Sequence, residues 1–262
     1  MSFSLSWMPQ VLRSAGLKVA LTDNWETRGH GDVGVIRGVL CHHTAGPKNG
    51  NMPSLTTLIR GRPGLEGPLS QLGLGRDGTY YVVAAGLAYH AGKGAWQGVT
   101  TGNASFIGIE AENMGTSEEP WPEVQLEAYR RGVAVLLRRL GLPAMACAGH
   151  KEFALPKGRK VDPIFDMDAF RRGVGAILDG TAPDPVLIPL SEPAVDGKTP
   201  RATLRRGDRG TLVEVLQRLI GVTIDGGFGS ITEARLRQVQ RDKGLVPDGI
   251  VGPRTWKVLD AL

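Results

Sequence analysis

The sequence predicts an α/β domain followed by a small all-α unit. Three observations carry this. Short strand-like runs alternate with helix-like segments from residue 38 to 178. The composition then breaks from Asp179 to Pro200, where prolines stand at 183, 185, 189, 193 and 200. Beyond the break, the pattern D-G-x-x-G-x-x-T occurs twice, at 225–232 and 248–255, and punctuates three helical stretches. The expected organisation is a domain over 1–180, a stiff extended linker over 181–200 and a second domain over 201–262.

Taken in order, Trp7 to Ala15 reads as a short helix, and the chain then runs extended through Trp25. His30 lies in the polar, glycine-rich loop R-G-H-G-D and is expected to be solvated. An apolar strand, G-V-L-C, ends in the adjacent pair His42-His43 and a Thr-Ala-Gly turn. Successive strand residues point to opposite faces, so only one of the two histidines can face a given cleft. Met52 to Arg60 has helical spacing, with Ser54 as its expected cap. Asp77-Gly78 between two strand-like runs signals a hairpin. The loop Ala88 to Gly94 carries His90. Ser105 to Asn113 reads as a strand with Glu110 and Glu112 on one face.

Pro122 to Leu140 is an amphipathic helix, with Val124, Leu126, Val133, Leu136 and Leu137 on its apolar side and Gly141 as its stop. Ala144 to Ala148 reads as a strand running into G-H-K-E, and Asp162 follows His150 by twelve residues. A helix from about Asp166 to Leu178 closes the domain. In the C-terminal unit, helices are expected over Leu212 to Leu219, Ile231 to about Lys243 and Pro253 to Leu259. Ser230 and Glu233 are placed to form a capping box, and Pro253 to occupy a first turn. This unit offers no obvious acid, base or nucleophile, so it reads as a binding module.

Composition narrows the function classes. A hydrophobic fraction of 41% in 262 residues suffices for a real core, and no apolar run is long enough to span a bilayer. The N-terminus has neither a basic region nor a long apolar stretch, so synthesis without a secretory signal is expected. Cys41 and Cys147 read as two buried thiols of a reducing compartment, able to form at most one disulfide. The net charge is +5, and from Arg201 onward 11 Lys/Arg face 7 Asp/Glu. A basic C-terminal unit implies an anionic partner. No run of basic residues interleaved with aromatics supports nucleic acid.

Five histidines make the search for metal ligands exhaustive. His42, His150 and Asp162 each follow a strand-like segment or lie in a loop, and offer N, N and O donors. A catalytic zinc site needs three protein ligands and one open position. A structural histidine pair at a strand end is the competing reading of His42 and His43.

The ordered motifs V-L-C-H-H-T-A-G, Y-H-A-G, I-G-I-E-A-E-N, G-H-K-E and R-K-V-D-P resemble the zinc-dependent N-acetylmuramoyl-L-alanine amidases of the peptidoglycan recognition protein and phage amidase type. The resemblance covers about residues 25 to 178. Residues 203 to 259 are similar to the common helical peptidoglycan-binding domain. The resemblance implies a mixed central β-sheet flanked by helices, then a three-helix wall-binding module. It places Zn2+ on His42, His150 and Asp162, the general base on Glu110 with Glu112 as fallback, and an oxyanion-stabilising charge on Lys160. It makes His43 a structural neighbour of the first ligand, and sets His43, Thr44, His90, Glu112 and Asn113 around the substrate. Two departures stand out. Ser70 or Gln71 occupies the place of a tyrosine common in the family, and the third ligand is Asp162 where the recognition-protein branch often has cysteine.

The implied reaction is hydrolysis of the amide between N-acetylmuramic acid and L-alanine by a zinc-activated water. The implied setting is a monomeric phage endolysin, held in the host cytoplasm until lysis and acting on cell-wall peptidoglycan, with no nucleic-acid partner and no membrane insertion. A stem-peptide metallopeptidase and a non-catalytic peptidoglycan receptor are the alternatives.

Overall fold

The computed structural model describes residues 2–182 and 201–261, which form two compact units, one α/β and one helical. Most of the expected linker, 183–200, lies outside the described residues. No helix among the described residues is long and apolar enough to cross a membrane.

The α/β unit opens with α1 (Met8–Ser14) and β1 (Val19–Leu21), followed by β2 (Gly38–His43) and α2 (Leu55–Arg60). A small hairpin of β3 (Gly61–Arg62) and β4 (Leu65–Glu66) leads to β5 (Leu72–Leu74) and β6 (Tyr80–Val82). Next come the single turn α3 (Gly102–Ser105), β7 (Phe106–Ala111), α4 (Glu123–Leu140), β8 (Cys147–Gly149), α5 (His150–Phe153) and α6 (Met167–Leu178). The six-stranded sheet has the order β1-β6-β5-β7-β2-β8. It is mixed: β2 runs parallel to β7 and β8, β5 runs parallel to β7, and β5 and β6 pair antiparallel.

β2 is buried along its whole length, which is why it reads as a continuous apolar run rather than an alternating one. Its Cys41 lies against Cys147 of β8, with the two thiols free, buried and 3.5 Å apart. In register, His42 stands opposite Glu110 of β7. The parallel pairing thus sets a histidine and a carboxylate side by side where the strands end.

Helix α4 buries Val124, Ala128, Val133, Leu136 and Leu137. Leu126, expected on that face, is only half-buried, and Gln125 and Tyr129 occupy it instead. Both are polar residues with internal duties. Gln125 Nε2 donates to the carbonyls of Leu74 and Glu112, and the Tyr129 hydroxyl accepts from His42 N and lies 2.9 Å from Ile109 O. Gly141 ends the helix at φ +68°, in the left-handed region.

One helix start and one strand start differ from expectation. Ser54 does not cap α2; its N–H and hydroxyl both donate to Glu112. The stretch from Ala144 begins as a 3-10 turn after Pro143, so strand pairing is confined to Cys147–Gly149. His30 is not solvated either: its ring stacks on Tyr89 at 3.8 Å, and its Nε2 is buried without a partner.

In the C-terminal unit, α7 (Thr211–Ile220), α8 (Ser230–Asp242) and α9 (Pro253–Leu259) enclose a core that includes Val213, Leu216, Phe228, Leu236, Val251 and Trp256. The capping box is absent: α8 begins at Ser230 with no side-chain cap, and Glu233 pairs with Arg237 instead. The sequence echo has a structural basis. Gln217 and Gln240, each eight residues before the Asp of a repeat, are buried and wired alike. Nε2 of Gln217 donates to Asp225, Gly227 O and Thr232, and Nε2 of Gln240 donates to Asp248, Ile250 O and Thr255. Their Oε1 atoms accept from Gly226 and Gly249, which hold φ near +66° and +73°, so both D-G turns require glycine.

Candidate active site

Three side chains from separate parts of the α/β unit meet beyond the ends of β2, β7 and β8. His42 Nδ1 lies 3.0 Å from His150 Nδ1 and 3.1 Å from Asp162 Oδ2, and His150 Nδ1 lies 3.0 Å from the same oxygen. His42 comes from the last turn of pleat in β2, and His150 opens α5 immediately after β8. Glu152 anchors that opening: it accepts from Gly149 N and takes a two-pronged contact from Arg171. Lys151 N donates to the carbonyl of Asp162, which ties the third residue to the second.

The outward nitrogens of both rings are already engaged. His150 Nε2 lies 2.9 Å from the carbonyl of Ala91, and His42 Nε2 lies 3.2 Å from His90 Nδ1. A carbonyl can only accept, so His150 carries a proton on Nε2 and turns Nδ1 toward His42 and Asp162. Burial pushes the His42 pKa down to about 4, against the pull of the Asp162 carboxylate, so this ring is neutral near pH 7. Burial alone would raise Asp162, but contact with the His150 and His42 rings holds it far below the usual carboxylate range. Two ring nitrogens and a carboxylate oxygen thus converge within 3.0–3.1 Å of one another. That donor set suits a divalent cation of zinc type. Among the described residues it is the one His/Cys/Asp/Glu group whose ligand atoms gather within 4.8 Å.

Glu110 stands beside this cluster. Its Oε1 is 3.8 Å from His42 Nδ1, and its Oε2 is buried with no protein partner. Burial, then the charge of Asp162, raises its pKa well above the ordinary glutamate range. The Lys160 ammonium opposes that shift and also lowers His42, so its charge is felt at both groups. Arg62, from the β3–β4 hairpin, acts on Glu110 in the same direction and was not anticipated from the sequence.

The five residues expected around the substrate separate sharply. Glu112 is fully buried, and its carboxylate accepts from Thr44, Ser54 N and the Ser54 hydroxyl. It is a structural anchor, placed neither to touch substrate nor to serve as fallback base, because the chain leaves the strand at Ala111. Thr44 is committed to that anchor, and it accepts from Gly46 N. A Cβ at Gly46 would lie 2.1 Å from Glu112 Oε1, so the Thr-Ala-Gly turn after the histidine pair is shaped to fit this carboxylate. Asn113 is fully buried, donates to Glu119 O and accepts from Gly115 N. His90 is buried with both nitrogens engaged. Of the five, His43 alone keeps a polar atom, Nδ1, without a protein partner. The departures at 70 and 71 are structural: Ser70 donates to Leu72 O and Gly108 O, and Gln71 bridges Gly86 O and Gly108 N.

Two residues that hold the site were missed in the sequence. Tyr129 pins the backbone of His42, and its place on the inner face of α4 was open to a helical-period reading. Asn103 accepts from both His90 N and Ala91 N, and no local pattern marks it.

A mixed α/β sheet that gathers a buried His-His-Asp cluster at its strand ends defines a protein with a candidate metal centre. Residues 32–164 match the N-acetylmuramoyl-L-alanine amidase family, and residues 205–259 match a peptidoglycan binding domain family. The first match spans just over half of the chain, which therefore belongs to the N-acetylmuramoyl-L-alanine amidase family.

The chain is 33% identical over 144 residues to the N-acetylmuramoyl-L-alanine amidase CwlM of Mycobacterium tuberculosis, covering 49% of this chain and 36% of that one. It is 41% identical over 69 residues to an uncharacterized protein of Kitasatospora aureofaciens, covering 24% of this chain and 58% of that one. It thus spans between a third and three fifths of the curated relatives it matches. Among solved structures, the N-acetylmuramyl-L-alanine amidase AmiD from E. coli aligns over 90% of this chain and 92% of its own, at 19% identity and a TM-score of 0.45.

Proposed function

We propose that the chain hydrolyses the amide between N-acetylmuramic acid and L-alanine in peptidoglycan, with Zn2+ held by His42, His150 and Asp162. The observation that carries this reading is the convergence of Nδ1, Nδ1 and Oδ2 within 3.0–3.1 Å of one another, with the Glu110 carboxylate 3.8 Å from one of them. Bound zinc would lower the pKa of water to about 7 and polarise the scissile carbonyl. Glu110 takes the proton of the attacking water and delivers it to the leaving nitrogen of L-alanine. Its raised pKa makes it a stronger base than an ordinary glutamate. Lys160 stabilises the oxyanion of the tetrahedral species.

Mass spectrometry of digested peptidoglycan, together with the zinc content of the purified chain, tests this reading. The expected products are a free lactyl carboxylate and a new L-alanine amino terminus, from protein carrying one zinc. New termini within the stem peptide would make the chain a peptidase, and binding without any cleavage would make it a receptor.

The division into a catalytic domain over 1–180, a linker over 181–200 and a wall-binding domain over 201–262 belongs to the same proposal, supported by the second family match and the basic excess after Arg201. The fragment 201–262 is expected to sediment with purified peptidoglycan without hydrolysing it, and added salt should weaken that binding. Retention of this fragment in the supernatant while the 1–180 fragment sediments would overturn the assignment. The pairing of a hydrolytic unit with a wall-directed module supports action as a monomeric phage endolysin, released from the host cytoplasm onto the wall, with neither nucleic acid nor membrane as partner.

A further inference from the structure

His90 was expected at the substrate, but its surroundings assign it elsewhere. The ring is 8% exposed. Its Nε2 lies 3.2 Å from the carbonyl oxygen of Phe106, so that nitrogen carries the proton. A neutral imidazole then has Nδ1 as a bare acceptor, and the atom 3.2 Å from it is His42 Nε2. His42 must therefore donate from Nε2, which leaves its Nδ1 bare toward His150 and Asp162.

The adjacent residue completes the arrangement, because the carbonyl of Ala91 takes the Nε2 proton of His150. Two consecutive residues of one loop thus set the tautomers of both histidines. The loop is held from behind. Asn103 Oδ1 accepts from His90 N at 2.9 Å and from Ala91 N at 2.8 Å. Gly108 of β7 leaves the space the ring occupies: a Cβ there would lie 2.7 Å from His90 Cγ.

We propose that His90 is a positioning residue of the metal centre, which together with the Ala91 carbonyl fixes His42 and His150 as Nδ1 ligands. The proposal rests on the metal-centre reading above. Partners of this kind change metal affinity by about 10–100-fold when removed. An amide oxygen can replace the acceptor that His42 needs, whereas a phenyl ring fills the space and accepts nothing.

The test uses the full chain, stripped of metal and titrated with zinc against a chromophoric chelator. His90→Phe is expected to weaken zinc binding by about 10–100-fold, and His90→Asn to retain most of the wild-type affinity. Wild-type affinity in His90→Phe, or equal losses in both variants, would overturn the proposal. A second measurement requires no variant: nitrogen-15 spectra of the histidine rings in the metal-free wild-type chain. These should show His42 and His150 protonated at Nε2 and bare at Nδ1, and a proton on Nδ1 of His42 would overturn the proposal even if His90→Phe failed to fold. A wild-type chain that takes up no zinc while showing the expected tautomers would sink the metal centre itself and leave the positioning of His42 standing.

Discussion

Glu110→Gln is expected to keep its zinc and its affinity for wall fragments while losing about 10²–10⁴-fold in turnover. Glutamine preserves the shape and burial of the side chain but has no basic oxygen to take the water proton. The substitution also removes the partial repulsion between Glu110 and the Asp162 charge, so the fold should be no less stable. Single-turnover hydrolysis of a soluble muropeptide, with metal content measured on the same sample, checks it. Near-normal turnover would remove Glu110 from proton transfer. Glu112→Gln cannot rescue the assignment by being the inactive variant through chemistry, because its carboxylate holds Thr44 and Ser54. A loss of activity there should come with a loss of thermal stability.

Asp162→Ala is expected to abolish activity and zinc retention together. The residue supplies the one anionic donor, and without it two neutral nitrogens 3.0 Å apart face a divalent ion alone. The check is thermal. Added zinc should raise the Tm of the metal-free wild-type chain, since a ligand bound only by the native state stabilises it. It should leave the Tm of Asp162→Ala unmoved. A zinc-dependent rise in the variant equal to that of the wild type would strike Asp162 from the site.

The order of elements was legible in the sequence because hydrophobic period and turn residues mark it locally. β2, β7 and α4 are continuous or periodic, and Asp77-Gly78 and Gly141 punctuate them. What local pattern did not carry was the destination of polar groups. Ser54 and Ser230 stand where helix caps stand, yet Ser54 donates to Glu112, just past the end of β7 and more than fifty residues away, and Glu233 pairs with Arg237 rather than capping α8. Glu110 and Glu112 share a period of two, which predicts a shared face. Pairing stops at Ala111, and one step beyond it the second carboxylate turns into the interior. The family resemblance places His90 at the substrate, and nothing in Y-H-A-G shows that Phe106 O and His42 flank the ring. Gln217 and Gln240 sat at a fixed spacing before each repeat, a signal present in the sequence and visible only once their shared wiring is known.

The anchoring of Thr44, Gly46 and Ser54 on Glu112 bears on how related chains should be sorted. The H-H-T-A-G signature contains two separable instructions, one that on the reading proposed above holds a cation and one for bending the chain around a buried acid. A relative in which only His42 has been exchanged would retain the bend and the same outline, and would pass any screen based on overall resemblance. If the proposed site is right, ranking such chains by the joint presence of His42, Glu110, His150 and Asp162 would divide hydrolases from silent wall sensors. The threonine, the glycine and the second glutamate of the motif would tell the two apart no better than any other part of the scaffold.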